Sequence, residues 1–157
     1  MDINTIMSIL NQIGISISSK TIRNYEQWSI IPQKTKIWHG RGKGSEVHYS
    51  EDTPMQIAAN MKLLSTRSVS IERLQVVRKY GLLMQEAGLY DHKTAFEEYW
   101  TRLKQEVFID RSEIEILELY YHVKLWQGIY NDYKIQLAKK QEHETVSTVF
   151  FEKGKTK

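Results

Sequence analysis

The segment of residues 18–32 has the sequence SSKTIRNYEQWSIIP. Its serines can cap the amino terminus of a helix and its proline cannot continue one, so the segment predicts a short helix over residues 21–28. The apolar residues that recur at three-residue steps and would lie on the inner side are Ile22, Tyr25 and Trp28. The polar residues that remain on the outer side are Arg23, Asn24 and Gln27. The helix therefore has one face for a core and one face for solvent or a partner.

Two further patterns flank this helix. Apolar residues recur at steps of three and four over residues 3–13, which predicts a first short helix that Gly14 ends. Residues 36–38 and 46–49 favour strands, and the three glycines between residues 40 and 44 predict that the strands form a hairpin. The glycines also resemble a phosphate-cradling loop, but the Gly-Lys-Ser/Thr context of such a loop is absent. A mobile basic wing is therefore the favoured interpretation.

The remainder of the chain predicts further helices, the last of which has the clearest periodicity. One helix opens at residues 50–52, one is capped by Ser70, and one begins at Asp91 or His92. In the last helix, apolar and aromatic residues alternate at steps of three and four over three heptads. These residues, called the heptad seam below, are Ile116, Leu119, Val123, Trp126, Tyr130, Tyr133 and Leu137. Such a repeat predicts a coiled-coil dimerisation helix over about residues 111–142; the alternative is an amphipathic helix buried within the monomer.

The net charge of +3 conceals a division along the chain. Residues 1–80 carry 11 Lys and Arg against 6 Asp and Glu, whereas residues 81–157 carry 11 against 13. Residues 20–43 hold six basic side chains and a single acidic one, Glu26. Clustered cations displace condensed counterions from phosphate, so this asymmetry indicates a polyanionic partner. The alternative is a solvated basic face on an ordinary domain.

The predicted elements follow the order helix, short connection, helix, glycine-rich basic hairpin and further helix. This is the order of a winged helix-turn-helix module, whose second helix enters the major groove and whose wing contacts the backbone or the minor groove. We therefore predict a mainly α fold, with a winged helix-turn-helix DNA-binding domain and a small β-hairpin wing over residues 1–88. A helical region that contains the dimerisation helix would follow over residues 89–142, and a flexible basic tail over residues 143–157.

The candidate DNA-binding residues lie on the second helix and on the hairpin. They are Ser19, Lys20, Thr21, Arg23, Asn24, Tyr25, Gln27, Lys36, His39, Arg41, Lys43 and Tyr49. Arg23 can form a bidentate fork with a base edge, and Asn24 or Gln27 can pair with adenine. Tyr25 can donate to a phosphate oxygen, a contact that fixes register without reading sequence.

Three segments resemble the amino-terminal DNA-binding domain of MerR-family regulators: SKTIRNYE at residues 19–26, IIP at residues 30–32 and HYSED at residues 48–52. The signature of that family is a Thr-Ile-Arg-x-Tyr-Glu helix, a Gly-Leu-Ile-Pro-like exit, a wing and a Tyr-Ser-x-x-Asp helix start. The resemblance covers roughly residues 3–87 and implies a winged-helix domain followed by a dimerisation helix, with Arg23 and Tyr25 in contact with DNA. It also implies that operator DNA is bent or untwisted. The chain departs from the pattern at Val47, where the family has an arginine.

Several classes of site have no support in the sequence. The chain has no cysteine, which excludes disulfides, thiolate metal sites and cysteine nucleophiles. Glu118 and His122 lie four residues apart but make at most two metal ligands, so a solvated helix face is favoured there. Because no nucleophile–base pair or carboxylate cluster stands out, we expect no enzyme, no catalytic residue, no metal and no cofactor. Aromatic residues that could line a drug pocket, but whose helical spacing favours a core or seam, are Tyr90, Phe96, Tyr99, Trp100, Tyr120, Tyr121 and Tyr130.

The expected function follows from these patterns together. No apolar run is long enough to span a membrane and residues 1–10 lack the basic segment of a signal peptide, so we expect a cytoplasmic, nucleoid-associated protein without a membrane partner. The leading hypothesis is a transcriptional regulator that binds double-stranded DNA sequence-specifically, as a homodimer on a pseudo-palindromic site. The alternative is a MerR-like DNA-binding adaptor of phage, plasmid or chromosome maintenance that recruits a partner protein through its carboxy-terminal helices.

Overall fold

The structure is a computed structural model that describes residues 1–66, 69–88 and 93–155 of the chain. In chain order its elements are α1 (Ile3–Gln12), α2 (Ser19–Gln27), β1 (Thr35–Trp38), β2 (Ser45–His48), α3 (Thr53–Leu64), α4 (Ile71–Glu86), α5 (Lys93–Glu106) and α6 (Glu113–Lys155). The prediction of a mainly helical chain with one small hairpin is confirmed for the described part. No helix within it combines the length and the apolarity that crossing a membrane requires.

Local capping chemistry starts the first two helices where the sequence predicts them. The Asp2 carboxylate accepts a hydrogen bond from the backbone N–H of Thr5 at 2.7 Å, and Ser18 Oγ accepts one from the backbone N–H of Thr21 at 3.2 Å. Immediately after α2, Ser29 has a φ of 57°, in the left-handed region, and turns the chain back toward the core. α1 and α2 pack on each other, so the two predicted helices and their connection form one unit.

α3 lies at the centre of the fold. α1, α4 and α6 all pack against it, and every residue from position 53 to position 60 is buried, polar side chains included. The amide of Asn60 donates to the backbone carbonyl of Ile30 at 2.7 Å and accepts from the indole of Trp126 at 2.9 Å. α3 therefore connects the exit of α2 to the long final helix.

The heptad seam of α6 is covered within one chain. Six of its seven residues are buried and Tyr133 is half-buried by residues of the same chain. The surface that covers them belongs to α3 and α4, on which α6 packs. The prediction that these seven residues pair two copies is therefore wrong, and the alternative of a helix buried within the monomer is confirmed. The periodicity correctly indicated an apolar stripe, but spacing alone does not say which surface packs on it.

α6 also extends further than predicted. It was expected to end near residue 142 and to be followed by a loose tail, but the helix continues to Lys155. Loss of apolar periodicity does not end a helix, and no proline or glycine occurs between residues 143 and 153 to break it. The expected start of the preceding helix, at Asp91 or His92, lies outside the described residues, and the described helix begins at Lys93.

Candidate nucleic-acid interface

The outer face of α2 presents polar and basic side chains, as predicted. Lys20, Arg23 and Gln27 are exposed, and the half-buried residues on the same helix are Ser19, Thr21 and Asn24. Two residues predicted to contact DNA are placed differently, since Tyr25 is only 6% exposed and Tyr49 only 3%. Both rings belong to the core, and burial raises the pKa of Tyr25. The predicted DNA contacts of these two tyrosines are therefore corrected, whereas the predicted inward placement of Tyr25 is confirmed.

The acidic residue of α2 is turned away from this face. Glu26 is buried, and its carboxylate accepts hydrogen bonds from the Tyr49 hydroxyl at 2.8 Å and from the backbone N–H of Lys34 at 3.2 Å. The Lys34 ammonium lies 3.6 Å from the same carboxylate. Burial raises the pKa of Tyr49 to about 12, and the hydrogen bond to Glu26 adds to the rise. The one negative charge among residues 20–43 is thus taken off the surface, which leaves the exposed side chains of α2 neutral or cationic.

The predicted hairpin, called the wing below, is present and borders the same depression as α2. β1 and β2 pair antiparallel, with Lys36 opposite Val47 and Trp38 opposite Ser45. The cations of the hairpin, Lys36, Arg41 and Lys43, are all exposed. Arg41 and Lys43 lie in the turn between the strands, where the three alternating glycines have φ values between 76° and 98° and so take the left-handed conformation that glycine allows. The turn therefore holds both side chains at the end of the wing.

A shallow depression of about 390 Å³ joins α2 to the wing. Ser19 and Arg23 line it from α2, Lys34 from the segment before β1, and Val47 and Tyr49 from β2 and its end. The start of α1 completes the lining with Asp2, Ile3 and Asn4, of which Asp2 is acidic. The exposed face of the second helix and one face of the hairpin therefore border the same groove. This is the arrangement that a helix and a wing need in order to contact one duplex together.

The two wing histidines share one carboxylate. Glu46 Oε2 lies 3.4 Å from Nε2 of His39 and 3.1 Å from Nε2 of His48. The hydrogen bond from His48, followed by that from His39, lowers the pKa of Glu46. His39, predicted to contact DNA, is exposed but is directed toward this carboxylate.

The other candidate sites considered from sequence lie on a face of α6 and among packed aromatic rings. Glu118 lies 3.9 Å from Arg73, and burial lowers the pKa of His122. No group of three or more metal-ligating side chains suited to an ion occurs in the described part of the chain. The aromatic residues that pack edge-on or tilted between α4, α5 and the start of α6 are Tyr80, Phe96, Trp100, Phe108 and Tyr120. The interpretation of Phe96 and Trp100 as core is confirmed, and Tyr90 lies outside the described residues.

Comparisons of the chain with protein-family models, with curated proteins and with solved structures find no match. The three segments at residues 19–26, 30–32 and 48–52 are therefore what the chain shares with the MerR family signature.

Two residues of this surface were missed from the sequence. Lys34 borders the groove between α2 and the wing, and Trp38 is 68% exposed on β1. The basic run that contains Lys34 was recognised, but its position on the rim depends on the contact with Glu26, eight residues away. Alternation along β1 could have indicated Trp38, because it shares a strand face with Lys36.

Proposed function

We propose that the chain binds double-stranded DNA sequence-specifically and regulates transcription as a homodimer on a pseudo-palindromic site. The observation that carries the proposal is the charge distribution on α2. Its exposed face bears Lys20 and Arg23, and its acid, Glu26, is buried under Tyr49. Duplex DNA has the closely spaced negative charges that such a surface complements. The resemblance to the MerR family supports the same function and adds deformation of the operator as its mode of action.

The recognition step divides between base reading and phosphate contact. Arg23 reads a guanine through its fork of N–H donors, and Gln27, with Asn24 beside it, offers the amide that pairs with adenine. Lys20 and the wing cations contact phosphates and set the register of the helix in the major groove. Ser19 and Thr21 are placed to donate to the same backbone.

Dimerisation uses the end of α6, since the heptad seam is occupied. A helix of 43 residues is about 65 Å long. After Leu137, residues 138–148 are all exposed, and they include the apolar Val146. A groove of about 550 Å³ lies between α1, the start of α3 and α6, with Ile9, Met55 and Leu137 among its lining residues. Val146, on the projecting end of a second copy of α6, is the apolar side chain that enters this groove.

The base-reading role is tested by Arg23→Ala in the full chain. The variant should lose about 1–3 kcal/mol of affinity for the selected site and should tolerate base changes that the unaltered chain rejects. Arg102→Ala, which removes an exposed arginine from α5, is the matched control and should leave binding unchanged. If Arg23→Ala lowered the affinity equally for every duplex, Arg23 would be a phosphate contact and would not read a base.

The dimer is tested with Val146→Asp, which replaces the exposed apolar side chain on the projecting end of α6 with a charged one. We expect the molar mass from light scattering to fall from two chains to one. Ser147→Asp introduces the same charge at the adjacent exposed position and should remain dimeric. Monomers for the unaltered chain at micromolar concentration would contradict this part of the proposal.

A second function, that of a DNA-binding adaptor, is favoured by a separate apolar surface. The exposed large hydrophobic residues around the α5–α6 connection and the first half of α6 are Val107, Ile109, Ile114, Leu117, Tyr121 and Leu125. Contiguous exposed apolar residues of this kind mark protein–protein contacts. Leu117→Ser should leave DNA affinity and molar mass unchanged under both hypotheses. Only the adaptor hypothesis predicts that Leu117→Ser abolishes recruitment of the partner protein by the DNA-bound chain.

A further inference from the structure

Trp38 is a large apolar side chain placed in solvent. Its indole is 68% exposed, against 3% for Trp100 and complete burial for Trp126. No other aromatic ring of the described part packs on it. An indole buries more apolar area on binding than most side chains do, so an exposed indole at the end of β1 indicates a contact with a binding partner.

The strand register places Trp38 on the basic face of the wing. Lys36 and Trp38 point to one side of the hairpin because successive side chains alternate, and their cross-strand partners Val47 and Ser45 lie on that side too. Ile37 and Glu46 oppose each other on the other side. The wing therefore has one face that carries lysine and tryptophan, and one that carries the carboxylate shared by the histidines.

The same register places Trp38 on the side that faces α2. Val47 lines the depression that Arg23 lines from α2, so the face that contains Val47 is the one turned toward the recognition helix. Trp38 ends β1 and lies four residues beyond Lys34, which immediately precedes the strand; at the rise of extended chain this is about 13 Å. That separation is comparable to the width of the major groove, about 12 Å, so Trp38 has the reach to pass a phosphate backbone when α2 occupies that groove.

We propose that Trp38 enters the minor groove next to the major-groove site of α2 and packs its indole against a base step there, a role that rests on the proposed function. Lys36, on the same face, contacts the phosphate on one side of the groove, and Arg41 and Lys43 at the end of the wing contact the other. Apolar side chains that enter the minor groove partly unstack a step, which is least costly at flexible pyrimidine–purine steps. The occupant is duplex DNA because the strand face of the indole carries Lys36 and no acidic side chain, and Glu46, the one acidic side chain of the hairpin, lies on the opposite face.

The contact makes a chemical prediction about the flanking sequence. The indole N–H is a donor only, and the minor-groove edge of an A·T pair offers only acceptors, whereas G·C adds the guanine N2 amino group. The chain should therefore bind more tightly when the base pair at the flanking position is T·A than when it is G·C. An inosine·cytosine pair lacks the amino group and has the minor-groove edge of A·T, so it should be accepted although its major-groove edge is that of G·C.

The test compares Trp38→Ala with Ile37→Ala in the full chain, on the duplex enriched from a random pool and on duplexes changed only at the flanking step. Ile37 is the matched control because it is the adjacent exposed apolar residue on the opposite strand face. We expect Trp38→Ala to lose roughly 10-fold in affinity and to lose the preference for T·A over G·C. Ile37→Ala should keep both, and inosine should restore tight binding to the unaltered chain.

The outcomes separate this proposal from the proposed function. If the unaltered chain selects a duplex but Trp38→Ala matches it in affinity and flank preference, the minor-groove contact is wrong and DNA binding stands. Equal losses of DNA affinity for Trp38→Ala and Ile37→Ala would contradict the assignment of the contact to the strand face that carries Trp38. If Trp38→Ala lost binding to a protein partner but bound DNA unchanged, the minor-groove contact would also be wrong. If the unaltered chain selected no duplex, the proposed function itself would be wrong.

Discussion

The indole N–H of Trp126 donates a hydrogen bond to Oδ1 of Asn60 over 2.9 Å, and both side chains are completely buried. The amide of Asn60 uses its other end to donate to the carbonyl of Ile30 at 2.7 Å. Ile30 lies three residues beyond the end of α2, so one amide side chain joins the segment after α2 to α6. The orientation of α2 on the domain is thus tied to the helix that we propose as the dimerisation element.

Asn60→Ala should destabilise the fold by about 2–4 kcal/mol, because it leaves the Trp126 N–H and the Ile30 carbonyl buried without partners. The measurement is chemical denaturation monitored by far-ultraviolet circular dichroism. Asn11→Ala, at an exposed position of α1, is the control and should change the free energy of unfolding by less than about 0.5 kcal/mol. A loss for Asn60→Ala as small as that of the control would contradict the assigned network.

Gly81→Ala tests the packing of α4 on α6 through the sign of its effect. In an open helix the substitution stabilises by about 1 kcal/mol. Here the added Cβ would lie 2.6 Å from Cε3 of the fully buried Trp126, so we expect destabilisation instead, by about 1–3 kcal/mol.

The clash is isolated by making Gly81→Ala in a Trp126→Leu background, measured by the same denaturation. The loss caused by Gly81→Ala should shrink in that background because the indole ring is absent. Stabilisation by Gly81→Ala in the unaltered chain would show that α4 and α6 do not approach as closely as the structure describes.

The buried tyrosines make the fold sensitive to alkali. The pKa of Tyr49 is raised from 10.0 to about 12, and burial with the nearby Asp52 raises the pKa of Tyr130 to about 12 as well. Between these values the folded chain keeps protons that the unfolded chain has lost. The stabilisation is therefore fully present below pH 10 and is lost as the pH rises toward 12.

The free energy of unfolding should accordingly fall between pH 10 and pH 12, and Tyr49→Phe should reduce the slope of that fall. Tyr121→Phe, at an exposed ring, is the control and should keep the slope of the unaltered chain. The measurement is denaturation at a series of pH values. An unchanged slope in Tyr49→Phe would mean that Tyr49 does not titrate from the buried position beside Glu26.

Much of the fold could be predicted because its signals are local. Helix starts at Asp2, Ser18 and Ser70 depend on a hydroxyl or carboxylate within three residues, and all three caps form. The heptad seam was misassigned because apolar spacing identifies a stripe without identifying its cover. That cover is formed by α3 and α4, and α3 is buried at every position from 53 to 60 rather than along a single stripe.

The basic residues of the candidate site could be predicted from the sequence, but the burial of Glu26 and Tyr49 could not, because it depends on contacts between distant residues. The basic run and the outer face of α2 are local patterns, and they hold. The burial of Glu26 depends on Tyr49, 23 residues away, and a count of charges along the chain cannot detect a hydrogen bond across that separation. Once that pair forms, Tyr49 is no longer available to DNA.

The wing is tested by its contribution to the salt dependence of DNA binding. Lys43→Ala should reduce the slope of log affinity against log salt by about 1, because one phosphate contact releases about one counterion. Lys139→Ala, on the projecting part of α6, should leave the slope unchanged. The measurement is fluorescence anisotropy of a labelled duplex between 50 and about 200 mM salt. An unchanged slope in Lys43→Ala would remove the end of the wing from the interface.

The central claim is that two copies of this chain read one DNA sequence, and selection of duplexes from a random pool tests it most directly. The bound complex is then weighed by light scattering. We predict an enriched pseudo-palindrome and a mass of two chains per duplex. A single chain on DNA with no enriched sequence would contradict the account.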